Sequence, residues 1–144
     1  QLDRFNMQLS LGYPSFESEK SMLQEQDEPP VLGPIIKLDQ LALLQSKIPQ
    51  VSVSESVVNY ILNLVRLTRD SKDFPNAISP RGTKALYRSA QASAFVKRRD
   101  FVTPEDVQFV LPAVFEHRLR GQLLSATATT YCEHLLQQVD PLAA

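Results

Sequence analysis

Two helix starts, Ser79-Pro80 and Thr103-Pro104, constrain this chain more than any other feature. In each, a hydroxyl residue can accept from a free backbone N–H of the first turn. The proline after it suits the first helical position, where its missing N–H costs nothing and its φ is already helical. Behind Ser79 the pattern predicts a helix to about Arg98. It is rich in small residues (Ala85, Ala90, Ala92, Ala94) that let neighbours approach closely, which makes it central. Behind Thr103 a helix carries Val107, Val110, Leu111, Val114 and Phe115 on one face and ends at Gly121. Pro112 is expected to kink or split it.

The other elements read from the same signals. Ser52 and Glu55, three apart, predict a capping box. The helix behind them presents Val57, Val58, Ile61, Leu62 and Val65 to a core and runs to about Asp70. Nearer the start, Ser15 caps a short charged helix to about Gln26, which Asp27-Glu28-Pro29-Pro30 breaks. Asp39 is expected to cap a helix over about Gln40 to Lys47 with Leu41 and Leu44 facing inward. A last helix is predicted over about Ala126 to Val139, with Leu135, Leu136 and Val139 packing on the bundle. The fold class is all-α: a bundle of about five helices.

One stretch does not read as helix. Phe5, Met7, Leu9 and Leu11 alternate with Asn6, Gln8 and Ser10, a strand-like period. A lone strand is not stable, so residues 1–14 read as a remnant β-strand ending another domain. The chain starts at Gln1 and reads as part of a larger protein. The remainder divides into the helical domain, 15–120, and a helical tail, 121–144.

Charge and composition exclude several functions. Fifteen basic residues against 16 acidic ones leave a net charge of -1, which does not suit a dedicated nucleic-acid binder. The local clusters Lys97-Arg98-Arg99 and His117-Arg118-Leu119-Arg120 read as helix-end charges. Cys132 is the only cysteine, so no internal disulfide forms and a cytoplasmic location fits. No apolar run reaches the about 20 residues a bilayer span needs. Gly12, Gly33, Gly82 and Gly121 are far apart with no Gly-Lys pair, so there is no phosphate-binding loop. No zinc pattern exists either.

Two arginines stand out. Arg81 sits in the first turn of its helix, where the dipole is already positive. A cation there makes sense if an anion such as phosphate arrives. Arg4 precedes Phe5, whose burial is expected to fix the backbone so that Arg4 projects from it. A guanidinium stays charged and can grip two phosphate oxygens at once.

Taken as a set, Gln1-Leu2-Asp3-Arg4-Phe5, Leu11-Gly12-Tyr13-Pro14, Ser79-Pro80-Arg81, Arg99 through Val107 and His117-Arg118-Leu119 resemble the MoxR family of AAA+ ATPases. The resemblance covers roughly residues 1 to 120. It implies the end of an ATPase core followed by the helical lid, with the phosphate loop, magnesium-binding acids and asparagine sensor lying earlier in a parent protein. It implies ATP and Mg in that parent, none bound to this piece, and a homo-oligomeric ring such as a hexamer that remodels or matures client proteins. Matched by motif, Arg4 takes the place of the arginine finger acting in trans. Arg81 takes the place of the sensor-2 arginine that contacts the subunit's own nucleotide. Arg99-Asp100 and His117-Arg118 read as structural. The family's Gly-Ala before Ser-Pro-Arg is Ala77-Ile78 here, and its Gly-Arg-Asp is Arg98-Arg99-Asp100. The resemblance further implies that this chain alone hydrolyses no ATP and binds it weakly or not at all. The competing reading is a non-enzymatic helical module for protein or nucleic-acid interaction.

Overall fold

The structure is a computed structural model that describes residues 2–24, 32–121 and 130–141. Its described helices are α1 (Phe16–Gln24), α2 (Leu38–Lys47), α3 (Glu55–Asp70), α4 (Pro80–Val96), α5 (Pro104–Arg120) and α6 (Tyr131–Gln138). The predicted break at Asp27–Pro30 and the predicted start of the last helix at Ala126 lie outside the described residues.

Helix α4 is the centre of the bundle, packing most extensively on α5 and also on α3. Its start forms as the sequence predicts: Ser79 Oγ accepts from Gly82 N at 3.1 Å, with Pro80 in the first turn. Ala85, Ala90 and Ala94 are buried along it. Opposite them lie Val107, Val110, Leu111, Val114 and Phe115 of α5, all buried as their spacing predicts. Pro112 does not split α5, which runs unbroken over 17 residues. Pro112 is exposed, so its ring faces water rather than the core.

Helix α6 belongs to the same core, with Cys132 and Leu135 fully buried. Its first N–H groups are taken by Glu116 of α5, which accepts from Cys132 N at 3.0 Å. Burial and the nearby Glu116 carboxylate push the Cys132 thiol far above its usual range, so it stays protonated and unreactive.

Four expectations are corrected. First, the remnant strand is absent: Leu2–Arg4 forms one 3-10 turn and the stretch after it is irregular. Among the described residues no neighbouring strand pairs with it; instead Gln8 N donates to Ala113 O at 2.8 Å and Arg118 takes the carbonyls of Asp3, Phe5 and Asn6. Second, Ser52 does not cap α3. It bridges residues 100–102, with Ser52 N donating to Asp100 O and Val102 N to Ser52 O. Ser54 is the cap residue. Third, the buried face of α3 keeps Val57, Ile61 and Val65 as expected but extends to Tyr60, Leu64 and Thr68, while Leu62 is half exposed. Fourth, α2 starts at Leu38, two residues before its predicted start, with Lys37 rather than Asp39 as cap residue. Leu41 and Leu44 do not face a core, since α2 buries none of its residues.

Candidate functional site

The start of α4 is held from three sides. Thr68 Oγ1 of α3 accepts from Ile78 N at 3.1 Å, and Arg69 donates twice to Ile78 O, at 3.1 and 3.0 Å. Ile78 itself is 1% exposed. Both backbone groups entering the helix are therefore fixed, and Ala77-Ile78 serves that entry without a glycine. The third hold is Asp3, whose two carboxylate oxygens accept from Ser79 Oγ at 3.1 and 3.0 Å.

That geometry brings the two predicted arginines together. Arg4 and Arg81 line one surface hollow of about 290 Å³, along with Asn6, Lys84 and Arg88. Both arginines are exposed and neither takes part in an ion pair among the described residues. Among the described residues no acidic side chain lines the hollow. Lys84 and Arg88 were not singled out from the sequence. The signal was present, because 81, 84 and 88 lie at helical spacing on one face.

The expected reason for the pose of Arg4 is wrong in one respect. Phe5 is 63% exposed, not buried. What fixes the backbone is Arg118 of α5, whose guanidinium donates to Phe5 O at 2.6 Å, to Asn6 O at 3.2 Å and to Asp3 O at 3.3 Å. His117 Nε2 lies 3.3 Å from Phe5 O. Burial and the adjacent Arg118 charge lower the His117 pKa, which favours the neutral ring.

Several residues of the remaining basic clusters pair internally. Lys97 and Arg99 both pair with Asp106, at 3.0 and 2.6 Å, and Arg120 pairs with Glu116 at 3.0 Å. Asp106 is fully buried. Burial alone would raise its pKa, but hydrogen bonds from Arg99, Thr103, Lys97 and Ser93 outweigh that and hold it well below the usual carboxylate range. Arg99 also donates to Phe101 O, so it fixes the loop between α4 and α5. Arg98 carries the left-handed φ of +60° where glycine is absent. The chain reverses there through Arg98 N to Phe95 O and Arg99 N to Ala94 O.

The chemistry of the hollow suits an anion such as phosphate: Arg4, Arg81, Lys84 and Arg88 line it and, among the described residues, no carboxylate does. It does not fit magnesium, since no group of three or more His, Cys, Asp or Glu side chains converges anywhere among the described residues. Nor is any described helix long and apolar enough to cross a membrane.

Comparison with known proteins bears on the family of this fold. The AAA lid domain family matches residues 66–137, half of the chain, from the last third of α3 through most of α6. The uncharacterized protein YeaC of Bacillus subtilis is 38% identical over 122 residues, covering 83% of this chain and 38% of that protein. Chaperone MoxR1 of Mycobacterium tuberculosis is 33% identical over 129 residues, covering 83% of this chain and 34% of that protein. A crystal structure described as a "putative ATPase" from Cytophaga hutchinsonii superimposes with a TM-score of 0.80 at 26% identity, over 96% of this chain and 47% of that one. The chain thus spans between a third and a half of the length of these relatives. Its fold, its motifs and these matches agree: the chain belongs to the AAA lid domain family and is of the MoxR type.

Proposed function

We propose that this chain serves as the lid of an ATP-hydrolysing, ring-forming MoxR-type ATPase that remodels or matures client proteins. Residues 1–14 would belong to the ATPase core in such an assembly. The observation that carries the reading is a set of exposed cations, Arg4, Arg81, Lys84 and Arg88, that face outward with no ion-pair partner among the described residues. Such a cluster repels itself and is stabilised by a polyanion.

ATP supplies the phosphoryl group, and magnesium would be held by residues outside this chain. Arg81, on the rigid start of α4, acts as sensor 2 and contacts the phosphates bound by its own subunit. Arg4 acts as the finger that neutralises charge on the phosphates bound by a neighbouring subunit. Because Asp3 ties the two segments together, a pull on Arg81 would carry Arg4 with it, linking a subunit's own nucleotide to the finger it offers its neighbour. Alone, this chain would bind ATP weakly and not hydrolyse it.

The test is made in the assembled ATPase. Arg81→Ala is expected to weaken nucleotide binding, measured with a fluorescent ATP analogue. Unchanged affinity and turnover would remove Arg81 from the site. Turnover of ATP by this chain alone would refute the division of labour between lid and core.

A further inference from the structure

The guanidinium of Arg118 has five N–H donors, and the fold uses all of them. Nε donates to Asp3 Oδ1 at 3.0 Å. Nη1 donates to Asn6 O and to Val114 O of its own helix. Nη2 donates to Phe5 O and Asp3 O. The side chain is 4% exposed. Arg118 borders the hollow, yet it has no donor left to offer a ligand there.

A second observation explains how it reaches that place. A Cβ on Gly82 would stand 3.2 Å from Arg118 Cδ and 2.9 Å from Ile78 Cγ2. Gly82 therefore lets the Arg118 stem lie against the first turn of α4, one residue from Arg81. The same Asp3 carboxylate that takes Arg118 Nε also takes the Ser79 hydroxyl. One carboxylate and one guanidinium thus join three segments: the α4 start, the α5 end and the segment carrying Arg4.

We propose that Arg118 is a positioning residue: with Asp3 and Ser79 it forms a clasp that sets Arg4 beside Arg81 before any phosphate arrives. The inference rests on the phosphate reading of the hollow. Pre-setting the two arginines lowers the ordering cost of binding. Lysine cannot replace Arg118, because a single ammonium nitrogen cannot span four carbonyls and a carboxylate.

Two measurements on this chain test the clasp. The first is amide exchange at Gln8, whose bond to Ala113 O closes the segment onto α5. Protection at Gln8 should fall about tenfold or more in Arg118→Lys and in Asp3→Asn, with protection inside α3 retained. Asp3→Asn guards against misfolding, since the Asp3 side chain is 44% exposed. Unchanged Gln8 protection in both variants overturns the clasp. The second is binding of inorganic tripolyphosphate at low salt, followed by phosphorus NMR. Arg4→Ala should weaken binding in the otherwise wild-type chain and should cost nothing further in the Asp3→Asn background, because a released Arg4 no longer contributes. An equal loss in both backgrounds overturns the positioning role and leaves the phosphate site standing. No binding by the wild-type chain overturns the phosphate reading and the positioning role with it.

Discussion

Arg118 lies across Gly82, with its Cδ 3.2 Å from where a Cβ on that glycine would stand. The contact joins the last turn of α5 to the first turn of α4, and Asp3 and Arg4 hang from it. Gly82→Ala tests it directly. Helix propensity alone favours alanine by up to about 1 kcal/mol. The added methyl would meet Ile78 and Arg118, both buried, so the variant is expected to lose about 1–3 kcal/mol in urea unfolding. A stabilised variant would show that Arg118 does not lie there.

Arg98→Gly is expected to act in the opposite sense. Arg98 holds φ +60° at the end of α4, a conformation glycine adopts without cost. Its backbone is already bonded into the reversal, so nothing in the main chain is lost. The variant should gain about 1 kcal/mol by thermal or urea unfolding. A loss would mean that the Arg98 side chain contributes contacts worth more than its strain.

Asp106 sets the acid limit. Its folded pKa is held below the unfolded carboxylate value of about 3.9. The stability it contributes is therefore fully present above that unfolded value and is lost as pH falls below it. Asp106→Asn should cost about 2–4 kcal/mol at neutral pH, because Arg99, Lys97, Ser93 and the Thr103 N–H lose a common acceptor. It should also flatten the acid limb of a stability-versus-pH curve. An unchanged limb would assign acid sensitivity to another carboxylate.

What the sequence reveals follows the range of each interaction. The Ser79 cap, the proline after it and the valine stripe of α5 are local signals, and all appear where they were expected. Ser52 misled because its backbone pairs with residues 100–102, a contact some 50 residues away that no local pattern encodes. The helical period of α2 was legible, but whether Leu41 and Leu44 find a neighbour is a tertiary matter. Arg118 looked like a helix-end charge, and its partners at residues 3–6 are more than a hundred positions distant. Lys84 and Arg88 could have been found by stepping along the helix from Arg81.

The most direct test of the account mixes two variants of the assembled ATPase. Rings of Arg4→Ala alone are expected to lose roughly 10³-fold or more in turnover, the scale of a lost trans arginine. Rings of Arg81→Ala alone should also be impaired. If Arg4 acts on a neighbour and Arg81 within its own subunit, mixed rings contain complete sites and regain ATP turnover that neither pure ring shows. Mixed rings no more active than the pure ones would contradict the account, placing both arginines on one subunit's phosphates or neither.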